Sequence, residues 1–453
     1  MRIVVMSSLY PPHFLGGAEL TCRDHVEGLR QRGHDVFVVT SRWGLAKPSV
    51  EGNVYRLLNV DSRSLCSCAG KGGPDPWRIR RRYNQLWRAV HLGKNYRIAR
   101  AIVASVCPDV AYVWHMADVS ISPVLAAQDL GIPIVFRLPS YWLADLQTEL
   151  RLEHNPFKRW YRAAVLGMGG FDRLDTTHML PNSMAVMQKY AQVGFATDTM
   201  QVVPNGVPRE LLLDLEQLPA LPVRAQSGEV KLVFAGRLVQ EKGPDVAIQA
   251  LAHLLAESSG RQVTLDIIGE GPEQYEASLR DLVARLGLET RVLFLGKMDH
   301  SQLLQRYTQY NALLLASRWA EPFGRVMLEA MARGVPVVAT NTGGPAEVIA
   351  DRVNGMLVPP DSPSAMAQAV SELLSNPELT QRIRHNALAT LRARYSLERV
   401  VEQVEGCLQS AVLRELETGG QPSTLQAPVS TAVAGSRPPF DDRAASSHSP
   451  GQR

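Results

Sequence analysis

The sequence predicts an α/β protein with two parallel-sheet domains facing a central cleft. Three observations carry that expectation. Short apolar runs alternate with helical stretches along the chain, with strand candidates at Ile3, Val36, Val110, Ile134, Leu232, Leu265, Val292, Leu313 and Val337. Strands that alternate with helices form parallel sheets. At 453 residues the chain is longer than one hydrophobic core usually spans. Residues 218–228 carry proline and lack clear periodicity, which reads as a connection. The expected organisation is a first domain over 1–207, a linker over 208–228, a second domain over 229–395 and a helix over 396–416 that crosses back toward the first domain. Residues 417–453 are rich in Gly, Ser, Pro, Ala and Thr with few large apolar side chains, the composition of a disordered tail.

In chain order, Ile3 to Met6 is the first short apolar strand. Ser7 to His13 lead from it into Gly16-Gly17-Ala18-Glu19 and an amphipathic helix reaching about Arg30. Glycines lack the side chain that would hold a ligand off the backbone, so the Gly16 and Gly17 N–H groups are free to meet a phosphate or a sugar at the helix start. A glycine pair in a loop is the plainer reading of these two residues alone. The three-glycine dinucleotide fingerprint is absent, which argues against nicotinamide or flavin chemistry.

The second domain opens on the buried run Leu232 to Ala235, followed by Gly236-Arg237-Leu238-Val239-Gln240-Glu241-Lys242-Gly243-Pro244-Asp245. Pro244 suits the first turn of a helix. Arg237 leaves the strand and Lys242 stands just before that helix, so both cations can converge on the crevice at the carboxyl ends of parallel strands and hold a diphosphate there. An ordinary surface Arg and Lys around a turn is the alternative. The chain has no Asp-x-Asp triplet and no His/Cys cluster at metal-ligand spacing, so no metal is expected in that role.

Further on, Ala312 to Leu315 is a buried strand, and Glu321-Pro322-Phe323-Gly324-Arg325-Val326-Met327-Leu328-Glu329-Ala330 leads into a helix from about Gly324 to Met331. One carboxylate precedes the helix and the other lies on it, separated by at most about 12 Å of helix axis. Free N–H groups near Phe323, Gly324 and Arg325 and the helix dipole suit an anion, while carboxylates accept hydrogen bonds from neutral hydroxyls. A nucleotide-sugar has that order of groups: sugar, diphosphate, ribose. A helix-capping Glu321 and a solvated Glu329 are the alternative.

Taken together, these segments resemble retaining GT-B glycosyltransferases of family 4. The resemblance rests on Tyr10-Pro11-Pro12 with Gly16 to Glu19, Val203-Pro204-Asn205-Gly206-Val207, Phe234 to Leu238 with Glu241-Lys242-Gly243, Gly269-Glu270-Gly271-Pro272, Glu321 to Ala330, Gly334 to Ala339 and Gly343 to Glu347. It spans about residues 1–415 and is strongest over 229–360. It implies a GT-B architecture of two Rossmann-like domains and a metal-independent, hexosyltransferase-type enzyme using a UDP- or GDP-linked sugar. By the same resemblance Arg237 and Lys242 bind the diphosphate, Glu329 the ribose, Glu321 and the Phe323-Gly324 backbone the sugar hydroxyls, and Gly16 and Gly17 the phosphate or sugar from the facing domain. Many members carry a His-Asp pair after the strand corresponding to Ile132 to Leu138. Here the His position is Pro139, and His115, at the end of the preceding strand, is the candidate stand-in.

The expected partners are a nucleotide-sugar donor and a glycan or lipid-linked acceptor, in the synthesis of cell-surface polysaccharide or glycolipid. A nucleotide-sugar epimerase on a related scaffold and a silent nucleotide-sugar binding protein remain alternatives, since fold does not dictate activity. Five cysteines make a disulfide framework an unlikely design, and no run of 18 apolar residues suggests a membrane span. A cytoplasmic protein is expected, with the inner face of the plasma membrane as a contact. That contact falls on residues 77–100, which carry eight Arg or Lys and no acid, interleaved with Trp77, Ile79, Tyr83, Leu86, Trp87 and Val90. A basic, Trp-bearing helix of this kind suits an anionic lipid surface, and packing of its apolar face on the first domain is the alternative. The overall charge of +4 is no footprint for nucleic acid.

Overall fold

A computed structural model describes residues 1–60, 80–151, 170–213, 229–257 and 262–418, with the side chains of 80–92 and 150 outside that description. The first sheet contains β1 (Arg2–Ser7), β2 (Asp35–Ser41), β3 (Ser49–Glu51), β4 (Val54–Leu58), β5 (Val110–Val113), β6 (Ile134–Leu138) and β7 (His178–Pro181). Its order is β3-β4-β2-β1-β5-β6-β7. All neighbours are parallel except β3 on β4. The second sheet contains β8 (Glu229–Ala235), β9 (Gln262–Ile268), β10 (Val292–Gly296), β11 (Ala312–Leu315), β12 (Val337–Thr340) and β13 (Met356–Val358). It is parallel throughout, in the order β10-β9-β8-β11-β12-β13.

Every strand candidate named from the sequence lies in one of these strands. The strands that escaped the sequence reading are β3, β4, β7 and β13, and all sit at or next to a sheet edge. Central strands of parallel sheets are covered on both faces and read as continuous apolar runs. Edge strands such as Ser-Val-Glu and His-Met-Leu-Pro lack that run.

In each sheet the strand order reverses once, between β1 and β5 in the first and between β8 and β11 in the second. Loops leaving the carboxyl ends of the two strands at such a switch point diverge and leave a crevice. Gly16-Gly17 and His115 follow β1 and β5, while Lys242 and Glu321 follow β8 and β11. The topology thus delivers the sequence-selected residues to two crevices.

The chain passes between the sheets twice, side by side. Val207 N–H donates to the Tyr395 carbonyl at 2.8 Å, and Leu397 N–H donates to the Val207 carbonyl at 2.9 Å. The last helix, Leu397–Thr418, then packs on the first sheet: Val400, Val404, Leu408 and Ala411, at helical spacing, share a core with Ile3, Val5, Val26 and Leu29. The fully buried Arg137 on β6 ties the crossing segment to the first sheet. It donates to the carbonyls of Val203 and Leu180, to that of Pro204 at 3.0 Å and to Asn205 Oδ1 at 2.9 Å. Burial lowers the pKa of this guanidinium, and these oxygen acceptors compensate its buried Nη1 and Nη2 donors, while Nε has no partner.

Of the basic segment 77–100, residues 77–79 lie outside the described residues, and the helix runs Arg80–Val106. The side chains that would face lipid fall mostly within 80–92. Residues 214–228 of the expected linker and 419–453 of the expected tail also lie outside the description. No described helix is long and apolar enough to cross a membrane.

Candidate active site

The site forms around two loops of the second domain. After β8 the chain makes a single helical turn, Gln240–Lys242, and Gly243 reverses it with φ 65° before the helix Pro244–Glu257 begins. Gly243 is required twice over. Its positive φ disfavours a side chain, and an added Cβ would lie 2.1 Å from the Ala316 carbonyl oxygen. That contact presses the Lys242 turn against the loop leaving β11. Arg318 clamps the same junction: its backbone N–H donates to the Glu241 carbonyl at 2.9 Å. Its guanidinium reaches the Gln240 carbonyl and both carboxylate oxygens of Asp245 at 3.1, 2.7 and 2.6 Å. Burial raises the Asp245 carboxyl's pKa, but the Arg318 hydrogen bonds and charge outweigh that and hold it below the ordinary value.

The clamp brings Lys242 onto Glu321. Lys242 Nζ donates to Glu321 Oε2, an oxygen that also accepts from Ser317 Oγ at 3.2 Å and Trp319 Nε1 at 3.3 Å. The same ammonium lies 5.5 Å from the centre of the Trp319 ring, within cation–π range. From behind, Gly344 N–H donates to the Glu321 carbonyl at 2.7 Å. The carboxylate is thereby fixed in one orientation, with the cation against it. Arg237 stands exposed at the end of β8. Phe323 is buried against Tyr395 at a ring separation of 6.1 Å, so its side chain serves packing and only its backbone is available to a ligand. Gly324 precedes the helix Arg325–Ala332 in the left-handed region.

Glu329, one helical turn along, is also buried. Its Oε1 lies 2.7 Å from His300 Nε2 and accepts from Arg325 Nε at 2.6 Å. Burial pushes the carboxyl's pKa up, but the His300 hydrogen bond and the charges of Arg325 and His300 prevail and hold it below its ordinary value. Glu329 is therefore ionised and held through one oxygen.

Across the cleft, Glu19 reaches back to the start of its own helix, where Gly16 N–H donates to Glu19 Oε2 at 3.0 Å. Burial raises the Glu19 carboxyl's pKa, opposed by its backbone hydrogen bonds and by His115 nearby. His115 Nδ1 is 3.7 Å from Asp118 Oδ2, and its ring meets Trp142 edge-on at 5.7 Å. At the Pro139 position the first domain presents aromatic side chains instead of an imidazole: Tyr141 Oη donates to the Ala320 carbonyl at 2.7 Å and its ring meets Trp319 at 5.6 Å. Glu347 closes the cleft elsewhere, accepting the Met184 and Ala185 N–H groups of the first domain, each at 2.8 Å.

The structure therefore gathers Arg237, Lys242, Glu321, Phe323, Gly324 and Glu329 on the second-domain side, with Gly16, Gly17 and His115 opposite. Sequence reading missed Ser317, Trp319, His300, Arg318 and Asp24. A signal existed for Arg325, which lies four residues before Glu329 on one helix face. None existed for Asp24, which meets Arg325 from 301 residues away. Among the described residues no group of three His, Cys, Asp or Glu side chains is arranged to hold a metal ion.

Comparison with known proteins identifies the family. The family described as "Glycosyltransferase Family 4" matches residues 15–211, and "Glycosyl transferases group 1" matches residues 222–390. Glycogen synthase of Mycobacterium tuberculosis is 34% identical over 398 residues, covering 84% of this chain and 88% of that protein. The uncharacterized glycosyltransferase MJ1607 of Methanocaldococcus jannaschii is 26% identical, covering 89% of this chain and 96% of its own length. Among solved structures, Anabaena Alr3699/HepE in complex with UDP and glucose matches with a TM-score of 0.63 and 23% identity, over 90% of this chain and 100% of that one. With two parallel α/β sheets opposed across a cleft and both family descriptions matched in sequence order, this chain belongs to glycosyltransferase family 4 and is a retaining, GT-B-fold enzyme that uses nucleotide-sugars.

Proposed function

We propose that this enzyme transfers a hexose from a UDP- or GDP-linked donor to a hydroxyl of a glycan or lipid-linked acceptor, in cell-surface polysaccharide or glycolipid synthesis. The observation that carries the reading is the meeting of Lys242 with Glu321, residues 79 apart in the chain, on the same crevice as Arg237 and Glu329. A cation beside a carboxylate, an exposed guanidinium and a second held carboxylate match a diphosphate flanked by sugar and ribose hydroxyls.

In the mechanism, the bond between the anomeric carbon and the β-phosphate oxygen breaks with its electron pair going to the phosphate, where Arg237 and Lys242 stabilise the charge. The acceptor oxygen attacks from the same face, and its proton passes to the departing phosphate oxygen. Configuration is retained without a protein nucleophile. Glu321 and the Phe323-Gly324 backbone hold the sugar hydroxyls, Glu329 holds the ribose, and the Gly16-Gly17 backbone approaches the phosphate or sugar from the facing domain. His115 is the first-domain side chain proposed to reach the transferred sugar.

The Anabaena structures hold UDP, UDP-glucose, or UDP with glucose, so UDP-glucose is the first donor to test here. Mass analysis after incubation with UDP- and GDP-sugars and candidate acceptors separates the outcomes. Transfer to an acceptor supports the reading. A sugar isomer formed without acceptor, or binding with no product, overturns it. We place the protein in the cytoplasm, with the basic helix Arg80–Val106 carrying the acceptor side toward anionic lipid.

A further inference from the structure

Trp319 touches both members of the Lys242–Glu321 pair. Its indole Nε1 donates to Glu321 Oε2 at 3.3 Å, and the Lys242 ammonium lies over its ring, 5.5 Å from the centre. The two contacts use different parts of the side chain. The N–H is a donor suited to an anion, and the ring face is the negative pole of the quadrupole, suited to a cation. The indole is held in turn from the facing domain. It packs against the first-domain core, Tyr141 meets it edge-on at 5.6 Å, and Tyr141 Oη donates to the carbonyl of the next residue, Ala320, at 2.7 Å. Behind the same loop, an added Cβ on Gly343 would lie 2.3 Å from the Glu321 carbonyl oxygen, so the backbone carrying Trp319 and Glu321 sits directly on the turn after β12.

The charges leave Trp319 a specific task. Lys242 Nζ, Ser317 Oγ and Trp319 Nε1 all converge on Glu321 Oε2. An ammonium has three protons, so Lys242 can serve Glu321 and a diphosphate together, but the diphosphate carries the larger negative charge and draws more strongly on the cation. Glu321 is 7% exposed. A carboxylate buried to that degree needs hydrogen-bond donors wherever its counterion is shared, and Ser317 and Trp319 are the two that remain. The ring contributes on the cation's side as well. It stabilises the ammonium without a charge that would neutralise it, so the cation keeps its attraction for phosphate.

We propose that Trp319 is a positioning residue for the transfer reaction: its indole N–H holds Glu321 in place against the pull of the diphosphate on Lys242, and its ring holds the ammonium without neutralising it. The proposal rests on the assignment of Lys242 to the diphosphate, and its test separates the two. The probe is whichever of UDP and GDP binds the wild type more tightly by calorimetry, because each presents a diphosphate and offers Glu321 no sugar hydroxyl in exchange. Trp319→Phe keeps an aromatic face and removes the N–H. Its dissociation constant for the probe is expected to rise on the order of tenfold, the equivalent of one hydrogen bond to a charged group. With Glu321→Gln already in place, the same substitution should change the constant by less than about twofold, because an uncharged amide needs no counterion. A purely structural role for Trp319 would give the same factor in both backgrounds. Trp319→Leu, which removes ring and N–H together, should weaken binding further and keep part of its effect beside Glu321→Gln through the lost ammonium contact; it serves if Trp319→Phe fails to fold. Wild-type affinity in a folded Trp319→Phe, or equal factors in the two backgrounds, overturns the positioning role. If Lys242→Met binds the probe as the wild type does, or if the wild type binds neither nucleotide, the diphosphate assignment fails and takes this inference with it. Weak binding by Lys242→Met with normal binding by Trp319→Phe leaves that assignment standing and removes only the role of Trp319.

Discussion

Replacing Lys242 by Met removes one member of a nearly closed charge pair, and its two consequences are separable. The Lys242 and Glu321 side chains are 18% and 9% exposed. Opposite charges about 4 Å apart attract by about 4 kcal/mol at an effective dielectric near 20, before desolvation. Breaking a fully buried pair costs about 3–5 kcal/mol, because the remaining charge is left without a counterion. Here Ser317 and Trp319 still donate to the Glu321 carboxylate, and the pair is not sealed from water, so we expect a loss of about 2 kcal/mol in stability. Turnover falls for a different reason: the departing diphosphate loses a cationic donor, worth about 3 kcal/mol or roughly a hundredfold in kcat. Urea unfolding reads the first quantity, and release of nucleoside diphosphate at saturating donor and acceptor reads the second. The double variant Lys242→Met with Glu321→Gln should recover most of the stability and none of the turnover. A folded Lys242→Met enzyme turning over within about threefold of wild type would refute the assignment of Lys242 to the leaving group.

Glu329→Ala should raise the donor KM more than it lowers kcat, since a ribose contact is made before and during the transition state alike, whereas Glu321→Ala should lower kcat as well; steady-state kinetics with varied donor giving the opposite pattern would exchange the two roles. Activity should survive EDTA, and a strict requirement for added Mg²⁺ in the transfer assay would contradict a leaving group stabilised by Arg237 and Lys242. Because the folded pKa of Glu329 is depressed, its stabilising contribution is present above its ordinary value and lost as pH falls through the folded one. Glu329→Gln should therefore unfold at lower urea than wild type at about pH 7, with the gap closing in acid; a gap that persists or widens in acid counts against the ion cluster. Anionic vesicles should bind the protein at low salt and release it at high salt, more weakly after Arg80→Glu, Arg81→Glu and Arg82→Glu together, and wild type that floats free of them at low salt excludes the membrane contact.

The alternation of apolar runs with helices was enough to determine two parallel sheets, because a central strand buried on both faces must be apolar along its whole length. The strands β3, β4, β7 and β13, at or next to a sheet edge, escaped because they are only three to five residues long and, in β3, β4 and β7, a polar residue or proline interrupts the apolar run. The decapeptide Glu321 to Ala330 and the segment Arg237 to Lys242 were legible as separate local patterns, since glycine turns, a helix-start proline and the spacing of two carboxylates are properties of a few neighbouring residues. That Lys242 and Glu321 share a hydrogen bond was not legible, because it depends on β8 and β11 lying side by side at the point where the strand order reverses. The junction of Arg325 with Asp24 was further out of reach. It joins residues 301 apart on opposite domains, and neither shows periodicity or a motif that names the other. Local sequence carries the chemistry of each group through its side chain and its immediate turn. Which groups are desolvated together, and so which charges act on one another strongly, is decided by the packing of the two domains, because burial and distance are properties of the assembled fold alone.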